Sequence, residues 1–457
     1  MKLFELINEY ARTTPDSVAF VDDARSVTYG RLWQLILSNR NFLIEKGFGG
    51  QVVAYRVESQ IKFAIDFLCL TAVGCWVIPI SSDVSADTNQ KLVTAHDIFL
   101  EIDSVFIPED FSIQPYSSFE QDESNCGIYH LTSGSTGEPK LCVRSLASLK
   151  DEGIAYQKLF SLQTVKIASL SPIYHSFALG AAYMAALVSK SSIYLIDKFI
   201  PRKAVDMIGT WQANIIIAVP VMVKAIATVS LVKEYDFSNL SAVLVGTGNV
   251  PAETKAEFKK RFGMFISSNY GSTETGGLIS RLTEEPTESI GKEMEGVELR
   301  LICQNGSEAT IGEEGEAYAK CKYMMSAYLG GGVEAFDKDG FFPMGDIMTK
   351  DTNGFYYIKG RIKNLINIGG KKVNPKEVED VLLHYLGIRD CIVCKAIRTN
   401  NQEAVKAVIV GEGLDETTIR TYLRQEGLAD YKIPSLIEFV DSIDRNSIGK
   451  YIKRGAM

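Results

Sequence analysis

Apolar and polar positions follow two rhythms along the chain. Short apolar runs at 52–57, 76–80, 167–170, 193–196, 215–219 and 242–245, each bounded by glycine, proline or polar residues, predict buried strands. Stretches of helical length, such as 201–210, lie between them. Such alternation predicts parallel sheets with helices on both faces. From about 296 to 359 the runs shorten and Gly-rich turns multiply, which predicts a small barrel or antiparallel piece. A boundary is expected near 359–363, followed by a smaller α/β unit. There Asn374 is placed to cap a helix that Pro375 opens. Val378, Val381, Leu382, Tyr385 and Leu386 form one apolar stripe at helical spacing. Strands are expected at 391–394 and 404–410. The fold class is therefore α/β, with a large N-terminal domain of layered α/β subdomains plus a small β-barrel over 1–360 and a smaller α+β domain over 361–457.

Composition narrows the function classes. Hydrophobic residues make up 46% and charged residues 23% of 457, so a sizeable core is expected. A net charge of −8 argues against a general nucleic-acid binder, which would carry a basic face. No stretch approaches the ~20 apolar residues of a membrane span. Residues 1–11 carry Glu5, Asn8 and Glu9, unlike a signal peptide. Of eight cysteines, several sit in apolar runs as small hydrophobes. Cys391 and Cys394 form a lone CxxC inside a strand-like run, without the second ligand pair that a metal site needs. A reducing, cytoplasmic setting is expected.

The most informative stretch is Thr132-Ser133-Gly134-Ser135-Thr136-Gly137-Glu138-Pro139-Lys140, directly after the largely apolar run 128–131. Gly134 and Gly137 allow backbone to approach a ligand closely. The hydroxyls donate hydrogen bonds and Lys140 adds a point charge, a composition suited to wrapping a polyphosphate. The common ATPase loop ends Gly-Lys-Ser/Thr; here Glu138 and Pro139 follow Gly137, so that reading fails.

This stretch resembles the phosphate-binding signature of the AMP-forming ligases: acyl-CoA synthetases, nonribosomal-peptide adenylation domains and luciferases. Further signatures follow in that family's order over nearly the whole chain. Asn269-Tyr270-Gly271-Ser272-Thr273-Glu274 resembles the motif in which the aromatic lies on adenine, the threonine meets the α-phosphate and the glutamate helps hold Mg²⁺. Pro343-Met344-Gly345-Asp346 resembles the ribose motif, with Asp346 taking both hydroxyls. Gly360-Arg361-Ile362-Lys363 resembles the hinge, with Lys363 at the hinge and Arg361 and Ile358 near the nucleotide. Ser447-Ile448-Gly449-Lys450 resembles the motif carrying the catalytic lysine on a mobile C-terminal domain. The chemistry agrees. A carboxylate is a bidentate acceptor for a cis-diol. Attack of a carboxylate on the α-phosphate gathers negative charge, which Mg²⁺ and lysines offset. Lys140, Thr273, Glu274 and Lys450 are accordingly the expected catalytic set, with ATP and Mg²⁺ as cofactors.

Ser171-Pro172-Ile173-Tyr174-His175-Ser176-Phe177 resembles the segment lining the acid pocket. Amino-acid-activating relatives place an aspartate shortly after this aromatic. Here none follows, and an unpaired buried ammonium is costly. His175 is read either as a catalytic and pocket residue or as a packed core histidine. With Ser176 and Gly180, the run Phe177, Ala178, Leu179, Ala181 and Ala182 is expected to leave an apolar slot for an aryl or medium-chain acid. Gly246, Thr247, Gly248 and Asn249, after a strand, are expected to wall both adenine and acid. Residues 367–375 resemble the glycine loop of CoA and aryl-acid ligases, which implies that Gly369 and Gly370 line a pantetheine tunnel. The acceptor is coenzyme A or, alternatively, the phosphopantetheine of an acyl or aryl carrier protein; no fused carrier domain is expected after Lys450. A rival of another class is a non-catalytic AMP-binding protein, against which the joint presence of Lys140, Glu274, Asp346, Arg361 and Lys450 argues. The partner is thus a small carboxylic acid, with no nucleic acid and no membrane span; the sequence specifies no oligomeric state.

Overall fold

A computed structural model describes residues 1–80, 119–132, 140–330, 335–398 and 402–443, and the backbone of 100–102. Ser133, Gly134, Ser135, Thr136 and Gly137 of the phosphate loop, and Lys450 of the last motif, lie outside the described residues. The chain groups into two compact units. One comprises Met1–Thr287, Gly291–Glu298 and Lys320–Phe342; the other comprises Glu288–Ile290, Leu299–Ala319 and Pro343 onward.

The first unit is built on two sheets. In a nine-stranded sheet the order runs Lys292–Glu293, Gly276–Arg281, Ser267–Ser272, Ala242–Val245, Ile215–Ala218, Lys166–Ser169, Ser192–Leu195, Val18–Val21, Ser26–Thr28. Its centre is parallel and its edges antiparallel. Ile215–Ala218 is buried at every position, as a central strand covered on both faces must be. The second sheet orders Ala327–Tyr328, Lys140–Ser145, Gly127–Thr132, Trp76–Ile80, Val52–Arg56, Leu100–Ile102. Strands expected at 76–80 and 242–245 coincide with observed ones, the other strands expected in this unit shift by one residue at their ends, and the strand expected at 391–394 runs three residues further each way, as Ile388–Ile397.

Helices fill the space around these sheets for legible reasons. Pro201–Trp211 opens on a proline at its first turn and buries Ala204, Val205, Met207 and Ile208. Leu146–Phe160 follows directly from the strand Lys140–Ser145; the Ser145 hydroxyl caps it by accepting from the Ser148 N–H. It buries Leu146, Leu149, Glu152, Gly153, Ala155 and Tyr156. A β-carbon on Gly153 would stand 2.7 Å from the Met184 backbone, so glycine sets how closely the two segments cross.

The second unit carries a four-stranded sheet, ordered Glu298–Ile302, Gly315–Lys320, Phe342–Lys350, Tyr356–Arg361, where the short-strand region was expected. It also holds a hairpin, Ile366–Ile368 with Lys371–Val373, and a three-stranded sheet, Ile388–Ile397, Glu403–Gly411 and Leu436–Phe439. Ile366, Val373, Val378, Leu382, Val393, Ala407, Ile419 and Leu423 are among the buried residues of a core confined to residues beyond 365. The Asn374 side chain caps Pro375–Leu383 as expected. The apolar stripe is shorter than expected. The helix ends at Leu383, the chain turns through Gly387 at φ +105°, and Leu386 is 95% exposed. Helical spacing aligns residues on one face only while the helix lasts. Among the described residues no helix is long and apolar enough to cross a membrane.

Candidate active site

Register gathers the chemistry of the first unit. Gly127–Thr132 pairs antiparallel with Lys140–Ser145, opposing Thr132 to Lys140, His130 to Cys142 and Ile128 to Arg144. On the far side Tyr328 opposes Cys142. Side chains alternate with period two, so Thr132, His130, Lys140, Cys142, Arg144 and Tyr328 share one face. The helix Leu146–Phe160 brings Glu152 to that face, and the hairpin of Ser267–Ser272 with Gly276–Arg281 brings the turn Thr273–Glu274–Thr275.

Beside the strand that Lys140 opens, the Tyr328 hydroxyl donates to Glu274 Oε1 at 3.0 Å. The Glu274 carbonyl accepts from the Met325 N–H at 2.7 Å, which fixes the residue at both ends. Lys140 Nζ stands 5.0 Å from the centre of the Tyr328 ring, within cation–π range. Burial, then the Glu274 charge, holds the Tyr328 hydroxyl protonated well above its ordinary range. The turn is closed locally: Thr275, fully buried, accepts from the Ser272 N–H through its hydroxyl at 3.1 Å. Magnesium fits this donor set. Mg²⁺ commonly takes one or two carboxylates plus substrate phosphates, and among the described residues the Glu274 side chain accepts its hydrogen bond through Oε1. Among the described residues no group of three or more His, Cys, Asp or Glu forms a closed metal cage.

Behind the mouth the face is dry. Arg144 and Glu152 are both fully buried and pair at 2.9 Å. Arg144 also donates to the Tyr323 carbonyl at 2.7 Å, and Glu152 accepts from the Gly277 N–H at 3.0 Å. The Tyr323 hydroxyl donates to the Gly277 carbonyl at 2.7 Å. The pair thus braces the strand that begins at Lys140 against the strand that follows Glu274. His130 is buried, donates from Nε2 to the Tyr174 carbonyl at 3.1 Å, and has its pKa lowered to about 3 by burial and by the nearby Arg144 and His175.

The acid segment departs from expectation in part. His175 is exposed, its ring 4.6 Å from that of Tyr174, so the packed-core alternative does not hold. Ser176 Oγ accepts a long contact, 3.4 Å, from Arg144. Phe177 is half-buried and seals against Gly246, where a β-carbon would come within 2.9 Å of the ring. The expected apolar slot along Ala178, Leu179, Ala181 and Ala182 is not there. Leu179–Met184 winds as a π-helix packed into the core, and all four residues are 0–1% exposed. Gly180 is buried beside the Glu152 carboxylate, which a β-carbon would approach to 2.3 Å. Thr247, after the strand Ala242–Val245, has φ +71°, an outlying conformation for a β-branched residue; Gly248 and Asn249 beside it are exposed. Tyr270 is nearly buried, and Asn269 Oδ1 accepts from Tyr156 and Ser280. Gly271 is required by the hairpin itself: its β-carbon would lie 2.0 Å from the Gly276 carbonyl oxygen.

In the second unit Asp346 and Arg361 oppose each other across two antiparallel strands. Arg361 donates to both carboxylate oxygens, at 2.5 and 3.2 Å; Asp346 is 2% exposed and Arg361 45%. Ile358 is 40% exposed, and Lys363 is exposed in a short 3₁₀ turn. Gly369 and Gly370 form the two-residue turn of a hairpin at φ +58° and +86°, with the Gly370 N–H donating to Asn367 Oδ1. Among the described residues nothing stands within 4 Å of a β-carbon at either position.

Sequence reasoning missed Tyr328, Arg144, Glu152 and His130. Strand register brings in Tyr328 and His130, and the eight-residue step from strand to helix joins Arg144 to Glu152. A charged pair closing directly after a phosphate-loop lysine was the one readable signal.

The sequence matches the AMP-binding enzyme family over residues 108–329. It is 30% identical over 339 residues to a feruloyl-CoA synthase of Amycolatopsis sp., covering 70% of this chain and 67% of that protein. It is 26% identical over 434 residues to the 2,3-dihydroxybenzoate-AMP ligase of Bacillus subtilis (strain 168), covering 89% and 79%. In fold it matches ATP-bound MatB from Rhodopseudomonas palustris with a TM-score of 0.83 at 21% identity, covering 99% and 97%. It matches the o-succinylbenzoate CoA synthetase of Bacillus subtilis, in complex with its acyl-adenylate, with a TM-score of 0.81 at 20% identity, covering 99% and 98%.

Proposed function

The chain belongs to the AMP-binding enzyme family and is an AMP-forming acid–thiol ligase, and on that premise we propose that it activates an aryl or medium-chain carboxylic acid and transfers it to coenzyme A. A carboxylate oxygen of the acid attacks the α-phosphorus of ATP. The acyl–phosphate bond forms, the bond to the β-phosphate breaks, and pyrophosphate leaves. The thiol sulfur then attacks the acyl carbon, the bond to the phosphate oxygen breaks, and AMP leaves with the electron pair while the thiol proton passes to solvent.

Lys140 offsets phosphate charge, Thr273 meets the α-phosphate, and Glu274 presents the carboxylate that would hold Mg²⁺, which supplies charge neutralisation on the phosphates when bound. Asp346 accepts the ribose hydroxyls and Arg361 lies near the nucleotide. Lys450 is the catalytic lysine of a domain that begins at Lys363. Gly369 and Gly370 leave room for a pantetheine arm.

One observation carries the choice of acid class. Ser176, in the segment where amino-acid-activating relatives have an aspartate, contacts the Arg144 guanidinium at 3.4 Å. An α-ammonium there would meet the Arg144 guanidinium, and the nearby Glu152 carboxylate is already held by that guanidinium and by the Gly277 N–H. The relatives named for feruloyl-CoA and 2,3-dihydroxybenzoate support an aryl acid. The test is acid-dependent ATP–pyrophosphate exchange over aryl, alkyl and α-amino acids, followed by thioester assay with free CoA and with a phosphopantetheinylated carrier protein. Aryl or medium-chain acids should exchange well, and CoA should be acylated. A zwitterionic amino acid as best substrate would overturn the acid class; acylation of the carrier alone would overturn CoA as acceptor.

A further inference from the structure

Tyr328 belongs to no motif read from the sequence, yet it touches two of the residues given charge-handling roles. Its hydroxyl donates to Glu274 Oε1 at 3.0 Å and its ring lies 5.0 Å below Lys140 Nζ. It reaches them because its short strand pairs with Lys140–Ser145, which places the ring on the same face as Lys140. We propose that Tyr328 is a positioning residue for the nucleotide–metal site: its hydroxyl orients the Glu274 carboxylate so that Oε2 faces the metal, and its ring seats the Lys140 ammonium beside it.

The physical case has three parts. A glutamate side chain has three rotatable bonds, and a hydrogen bond to one oxygen removes most of that freedom before the ligand arrives. A cation over an aromatic face is attracted without being neutralised, so Lys140 keeps its full charge for phosphate. Had Lys140 paired with Glu274 directly, each would have cancelled the group that the other must serve. The aromatic spacer keeps a cation and an anion near one another but uncommitted.

The inference rests on Glu274 being the metal carboxylate, and the experiment separates the two ideas. ATP binding without any acid substrate is followed by isothermal titration calorimetry over a Mg²⁺ series, for the unaltered protein, Tyr328→Phe, Tyr328→Leu and Glu274→Gln. Tyr328→Phe keeps the ring and the fold. It should raise the Mg²⁺ concentration for half-maximal enhancement of ATP binding by about 10-fold, the usual scale for a group that orients a metal ligand. Its affinity for metal-free ATP should not change. Tyr328→Leu should show the same Mg²⁺ shift and also bind metal-free ATP more weakly, because Lys140 loses its seat. If Glu274→Gln shifts the Mg²⁺ response and Tyr328→Phe does not, the positioning role is overturned alone. If Tyr328→Phe weakens metal-free and metal-bound ATP alike, the tyrosine is merely structural and the proposal falls. If Glu274→Gln leaves the Mg²⁺ response intact, the assignment of Glu274 falls and takes the proposal with it.

Discussion

Arg144–Glu152 in the first unit and Arg361–Asp346 in the second join the same two chemical groups under opposite conditions. Both partners of the first pair are fully buried; Arg361 in the second is 45% exposed. The buried pair is tied off by backbone, through the Tyr323 carbonyl and the Gly277 N–H. Removing one partner would strand a charge where water cannot reach it. The second pair is wet on its guanidinium side only, so Arg361 can reach solvent or ligand while it still covers the buried Asp346 carboxylate. The first arrangement braces, and the second is available.

The sharpest way to break this comparison is in the dry pair. Arg144→Ala should cost about 3–5 kcal/mol of stability in urea unfolding, because Glu152 is left uncompensated. The double variant Arg144→Met with Glu152→Gln should regain at least half of that loss, since no charge is stranded and Gly277 keeps an acceptor. A double variant as unstable as the single one would show that packing, not charge, sets the effect.

In the wet pair the balance should reverse. Asp346→Asn should change stability by no more than about 1 kcal/mol, while the KM for ATP in pyrophosphate exchange rises ~10- to 100-fold, the scale of losing a charged hydrogen-bond acceptor. Unchanged KM would remove Asp346 from the nucleotide site.

His130 sharpens the dry side by pH. Its pKa in the folded chain is lowered to about 3 from an ordinary value of 6.5. Its neutral form is therefore the one that suits the fold. That stability is fully present above pH 6.5, and it is lost as pH falls below 6.5 toward 3, at about 1.4 kcal/mol per pH unit. By pH 5 the loss should reach about 2 kcal/mol. His130→Gln, which does not titrate, should lack this component when unfolding free energies are compared across pH 7 to 5. Parallel curves for the two proteins would refute it.

The smallest effect is expected at Gly370. No described residue crowds it but φ is +86°, so Gly370→Ala should cost roughly 1 kcal/mol through backbone strain alone and leave pyrophosphate exchange intact. Thioester formation should fall well below exchange in Gly370→Leu, whose side chain would project into that space. Normal thiolation by Gly370→Leu would detach the turn from the acceptor arm.

The amino-acid order was enough to specify the central strands of the nine-stranded sheet, the helix that opens at Pro201 and the cap at Asn374. These are local matters: apolar runs, a proline at a first turn, a side chain reaching its own backbone two residues on. It also singled out Glu274, Asp346, Arg361 and Lys140 as candidates, because their neighbours in sequence resemble the family's signatures. The tertiary structure alone decided what those residues lean on. Tyr328 meets Glu274 across 54 positions and Arg144 meets Tyr323 across 179. It also turned the alanine-rich run after Phe177 into core, where composition had promised a pocket: whether a small apolar residue lines a cavity or fills one depends on what packs opposite, and here that is the helix Leu146–Phe160. Strand register and helix crossing set such contacts, and neither leaves a mark in the spacing of residues along the chain.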